Sequence, residues 1–145
     1  VLGAAFGMSV PMAFSAQTGS LPITAGIVFL ASLVWTLIYD TLYAMADREE
    51  DIQIGVKSTA ILFEKYDQII ITLLQISLIL IFIVMGDIFK LGQIYYISLI
   101  IIAIFMIYHQ FLMRKRQNEQ YFLAFLSNNY IGMTAFAGIF LSVAL

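Results

Sequence analysis

Residues 23–51 read ITAGIVFLASLVWTLIYDTLYAMADREED. The first part is an apolar run about as long as the roughly 20 residues that carry a helix across a bilayer core. It ends in the one place where carboxylates gather: Asp40, Asp47, Glu49, Glu50 and Asp51. At about 100° per helical residue, Asp40, Asp47 and Asp51 fall in a narrow stripe on one face, and Glu49 points the opposite way. Aligned carboxylates at the end of an apolar helix repel one another unless a cation neutralises them. The stretch therefore predicts a membrane span with a cation site at its end.

The rest of the chain agrees with a bilayer as solvent. Of 145 residues, 62% are hydrophobic and 11% charged, and the mean hydropathy is +0.97. A water-soluble domain of this size would expose far more apolar surface than it could bury. The apolar runs are long and continuous rather than alternating, which excludes a β-barrel pattern. The expected fold class is all-α, a polytopic transmembrane helical bundle. Five spans are expected, at about 1–17, 23–43, 68–85, 91–113 and 121–144. In the first, Gly3 and Gly7 form a small-residue pair that lets a second helix come close, and Pro11 predicts a kink. Thr18 to Pro22 is a turn cluster, and residues 48–65 form the longest polar segment.

Basic residues set an orientation. Arg48, Lys57, Lys65, Arg114, Lys115 and Arg116 fall on one side of these spans and Lys90 alone on the other, six of seven basic residues. The positive-inside rule makes the first side cytoplasmic, so the acidic stretch is expected to face the cytoplasm. There are no cysteines, hence no disulfide framework and no thiolate ligand or nucleophile. A net charge of −2 argues against nucleic acid as a partner. The chain does not begin with Met, which points to a piece of something longer.

Magnesium is a hard cation that binds through one or two carboxylates together with substrate phosphates. Asp47 and Asp51, at i and i+4, suit one such ion. Asp40, two turns earlier, would join them or order their waters, and Arg48, Lys57 or Lys65 would meet phosphate oxygens. The alternative reading of Asp47 to Asp51 is a solvated helix end with charge pairs. Asp40 weighs against it, because a carboxylate inside a span is a functional candidate. Trp35, Tyr39 and Tyr43 can offer aromatic faces to a cation, or serve as interface anchors. His109, the single histidine, reads as a helix-pairing residue rather than a base, and Asn128 and Asn129 as interhelical hydrogen-bond formers. Arg114 to Arg116 reads as a topology anchor.

The stretch YDTLYAMADREEDIQIGVKSTAILF resembles the second Asp-rich motif of the UbiA superfamily of intramembrane prenyltransferases. The stretch VLGAAFGMSVPMAF before it and FLSNNYIG after it agree as well. The nearest likeness is to the branch whose acceptor is 4-hydroxybenzoate. The resemblance implies a bundle of about nine helices around a cavity closed to water and open to lipid, of which these spans would be the C-terminal part. It implies one domain over 1–145, with the N-terminal helices and the first Asp-rich motif absent; no Asn-Asp pair occurs. It also implies Mg2+-dependent transfer of a polyprenyl group from polyprenyl pyrophosphate to carbon 3 of 4-hydroxybenzoate, for ubiquinone, in the bacterial inner membrane. Asp47 and Asp51 would be metal-linked, Asp40 and Tyr43 would line the site, and Lys57 would be the foremost phosphate contact. The family's glycine after STAILF is Glu64 here. Another acceptor (a naphthoate, homogentisate or haem) and a transporter with an acidic ion path remain alternatives.

Overall fold

A computed structural model describes residues 2–48 and 66–145. Among them the regular structure is helical: α1 (Leu2–Gly7), α2 (Ser9–Thr18), α3 (Ile23–Ala46), α4 (Asp67–Ile88), α5 (Gln93–Met113) and α6 (Asn118–Ala144). The last four are each long and apolar enough to cross a membrane, and they match the expected spans with ends shifted by up to three residues. The first expected span is different. It is two short helices broken at Met8, because Pro11 lacks an N–H and its ring crowds the carbonyl four residues back, that of Gly7. Four spans rather than five are therefore found among the described residues.

Each long helix carries large apolar residues on its outward side as well as its buried one. On α4, Asp67, Ile71, Gln75, Leu78, Phe82 and Met85 are buried, while Ile69, Leu73, Ile76, Leu80 and Ile83 form an exposed stripe at the same spacing. In water that outer stripe would be an aggregation surface; in lipid it is simply solvated. The short connections between α4 and α5 and between α5 and α6 each close with a residue in the left-handed region, Lys90 (φ 51°) and Arg116 (φ 49°), which caps the preceding helix.

Between lipid-facing helices there is no hydrophobic drive to associate, so small residues and polar contacts decide the packing. The glycine pair of α1 behaves as expected. A Cβ on Gly7 would lie 2.9 Å from the Phe29 ring, and one on Gly3 would lie 3.5 Å from Thr36 Cβ, so α1 rests on α3 through both. Gly132 of α6 receives the Trp35 ring, where a Cβ would lie 2.6 Å from it. Gly138 receives Ser98 of α5.

The polar ladder joining α4, α5 and α6 runs in one direction. Thr72 Oγ1 donates to Gln110 Oε1 (3.1 Å) and Gln110 Nε2 to Gln75 Oε1 (2.7 Å). Gln75 Nε2 then donates to His109 Nδ1 (3.3 Å), His109 Nε2 to Ser127 Oγ (2.8 Å), and Ser127 Oγ to the Ala124 carbonyl (3.0 Å). His109 is fully buried with both ring nitrogens engaged, the helix-pairing role expected of it. Replacing His109 with Leu should destabilise the protein by about 1–2 kcal/mol, chiefly by orphaning the Gln75 amide. Thermal unfolding in detergent would measure it.

Candidate functional site

One face of α3 is core and the next is cavity. Ala31, Val34, Ile38, Leu42 and Met45 are buried. Ser32, Trp35, Thr36, Tyr39, Asp40 and Tyr43 instead line a cavity of about 950 Å³. Phe125, Leu126 and Asn129 of α6 form the opposite wall, and Phe6 and Ser9 close it from α1 and α2. That volume is at the upper end of what ligand pockets hold.

Asp40 is half-buried and is the one carboxylate among these lining residues. Beside it the aromatic rings form a cluster. Tyr39 and Phe125 have centroids 4.4 Å apart, Tyr43 and Phe125 5.2 Å, and Phe122 lies 5.8 Å beyond Phe125. A carboxylate, hydroxyls and an amide thus meet aromatic faces in a space bounded otherwise by apolar helices.

The structure brings Asp40, Tyr43, Tyr39 and Trp35 to one cavity. Asp47 caps the C-terminal end of α3, its N–H bonded to the Tyr43 carbonyl at 3.0 Å. Seven residues of helix put it about 10 Å along the axis from Asp40, too far for both carboxylates to touch one ion directly. Among the described residues no three His, Cys, Asp or Glu side chains converge on a metal position. Asp51, Lys57 and Lys65 lie outside the described residues. The donors on α3 and on the cavity wall are carboxylate, hydroxyl and amide oxygens, the set magnesium takes and zinc or copper does not prefer.

Arg48 is engaged elsewhere. Its Nη2 donates to Asp67 Oδ2 at 2.6 Å, with the two side chains 11% and 1% exposed. Phe125, Leu126 and Asn129 are the α6 residues that spacing alone did not single out for this wall. Their signal was in part present, since all three fall within FLSNNYIG, but which face of α6 meets α3 depends on packing.

At the α3 C-terminal end, Gln68 Nε2 donates to the Met113 carbonyl at 2.6 Å. Arg48, Arg114, Lys115 and Arg116 therefore share one end of the bundle. At the other end, Tyr96 donates to Asp87 (2.7 Å) and the Gly92 N–H to Ser142 Oγ (2.6 Å), close to Lys90. The charge asymmetry read from the sequence holds for the described residues.

The UbiA prenyltransferase family matches residues 1–143. Among curated proteins, a 4-hydroxybenzoate octaprenyltransferase of Vesicomyosocius okutanii subsp. Calyptogena okutanii is 56% identical over 145 residues, all of this chain and 53% of that protein. One from Providencia stuartii is 53% identical over 142 residues, covering 98% of this chain and 49% of its own length. One from Escherichia coli is 46% identical over 142 residues, with the same two shares. The chain spans about half the length of the curated relatives it matches. No solved structure matches it significantly.

Proposed function

The chain belongs to the UbiA prenyltransferase family, and on that premise we propose that the whole protein transfers a polyprenyl group from polyprenyl pyrophosphate to carbon 3 of 4-hydroxybenzoate, a step of ubiquinone synthesis. The observation that carries this reading is identity near 50%, along the full chain, to proteins named 4-hydroxybenzoate octaprenyltransferase. The cavity beside Asp40 supports the chemistry.

In the reaction the bond from prenyl carbon 1 to the pyrophosphate oxygen breaks and the oxygen leaves with the electron pair. A carbon–carbon bond then forms at ring carbon 3, which loses its proton. An allylic cation must be kept from water, and a cavity between membrane helices does that. Tyr39, Tyr43 and Phe125 line that space, and aromatic rings there would stabilise the positive charge as it develops. Asp40 is the carboxylate among the residues lining the same space. Asp47 and Asp51 are the proposed ligands of Mg2+, which when bound offsets the charge on the leaving pyrophosphate. Lys57 is the proposed phosphate contact. The basic end, where Arg48 and Arg114 to Arg116 gather, supports a cytoplasmic position for the acidic stretch in the bacterial inner membrane.

The test is prenyl transfer by the full-length protein in liposomes, with octaprenyl pyrophosphate and 4-hydroxybenzoate. Product should form with Mg2+ and cease on chelation. Product only with a naphthoate, homogentisate or haem would reassign the acceptor. No transfer to any of them would refute the reading.

A further inference from the structure

Arg48 directly follows Asp47, the C-cap of α3, yet its side chain turns toward the bundle rather than along the Asp40 stripe. The buried stripe Val34, Ile38, Leu42, Met45 continues at helical spacing to Arg48, whereas Asp40, Tyr43 and Asp47 follow the cavity-facing spacing. Arg48 points into the bundle and meets Asp67, the first residue of α4, at 2.6 Å. Asp67 is held a second time, its Oδ1 accepting the Gln68 N–H at 2.6 Å. Gln68 in turn reaches the last carbonyl of α5, at Met113. A carboxylate in the first turn of a helix suits the positive end of the helix dipole, so Asp67 is fixed to α4 before Arg48 arrives.

We propose that the Arg48–Asp67 ion pair is a positioning clasp that fastens the Asp47 end of α3 to the ends of α4 and α5, so that Arg48 acts on pyrophosphate binding through Asp67 and not by touching the phosphate. This rests on the reading of Asp47 as part of the pyrophosphate site. Buried ion pairs are poor sources of net stability but strong determinants of relative placement when both partners are present. Arg48 Nε is buried without a hydrogen-bond partner among the described residues, and among them Asp67 is the carboxylate its guanidinium meets.

The experiment uses the full-length protein with inorganic pyrophosphate and Mg2+, read by calorimetry, alongside thermal unfolding and prenyl transfer. Arg48→Met and Asp67→Asn should each weaken Mg2+-dependent pyrophosphate binding about 10-fold, the size expected when a supporting shell is removed. The double variant should be no weaker than the worse single one, and Arg48→Lys should restore most of the binding. The Michaelis constant for 4-hydroxybenzoate should not move.

Normal binding by Asp67→Asn with weak binding by Arg48→Met would overturn the proposal in favour of a direct phosphate contact. Lowered thermal stability with unchanged pyrophosphate binding in every variant would overturn it in favour of a purely structural pair. Should Arg48→Met fail to fold, Arg48→Gln carries the same comparison, and Asp67→Ser does so for Asp67→Asn. Because binding is read without turnover, a wild type that binds pyrophosphate but transfers no prenyl group would count against the proposed reaction and leave the comparison intact.

Discussion

Asp47→Asn in the full-length protein should lower the rate of prenyl transfer by about 10²–10³-fold, the usual cost of deleting one group that stabilises developing charge. The substitution preserves shape and removes only charge. Asp47 sits at the last turn of α3, half-buried, with its backbone N–H already satisfied by Tyr43, so the helix end should form as before. Asp51→Asn should have a comparable effect, and the double variant should fall well short of the product of the two, as groups acting on one ion do. Asp40→Asn should cost less, about 10-fold, because Asp40 stands two turns away and on the proposed reading would order the waters of the ion rather than bind it. Chromatographic detection of prenylated product, with circular dichroism to verify folding, checks all of these. Wild-type rates for Asp47→Asn and Asp51→Asn would return the acidic stretch to a solvated helix end.

The second large effect is on stability. Gly138→Leu should prevent α5 and α6 from docking. Even the first added carbon would lie 2.6 Å from Ser98 Cβ and 3.7 Å from Tyr95 Cα, so the backbones themselves must part. Tyr95 cannot yield easily, since it is fully buried and its hydroxyl donates to the Phe82 carbonyl of α4 at 2.8 Å. Alanine at this position should cost about 1–3 kcal/mol, typical of an overpacked interior, and leucine should leave little folded protein in detergent. Gly26→Ala is the matching control. Nothing lies within 4 Å of its added carbon, and in a helix interior alanine should be neutral or stabilising by up to about 1 kcal/mol. Thermal unfolding in the same detergent distinguishes the two positions.

The long helices were legible because a bilayer leaves so little choice: an apolar run of about 20 residues must be a helix that satisfies its own backbone. The break at Met8 was only half legible. Pro11 announced a kink, but a kink and a division into two short helices differ in how far neighbouring groups repair the backbone. Tyr43 was placed at the site only through the family resemblance, whereas the alignment of Asp40 with Asp47 on one face followed from helical geometry alone. Arg48 did not, because its partner Asp67 lies 19 residues on, across a polar segment whose path no periodicity predicts. For the same reason the pairing of Tyr39 with Phe125 was out of reach. It depends on how α6 is rotated against α3, and that rotation is set by Gly132 accepting the edge of Trp35.

The ladder from Thr72 to Ser127 also bears on how the chain is made. Leaving aside its own backbone, each ladder side chain of α4 finds its partner in a helix synthesised later: Thr72 and Gln75 wait for His109 and Gln110. During translation α4 therefore enters lipid before either partner exists, with the Gln75 amide short of the two bonds it makes in the finished bundle, at a cost of order 1 kcal/mol for each, which its otherwise continuous run of Ile and Leu can absorb.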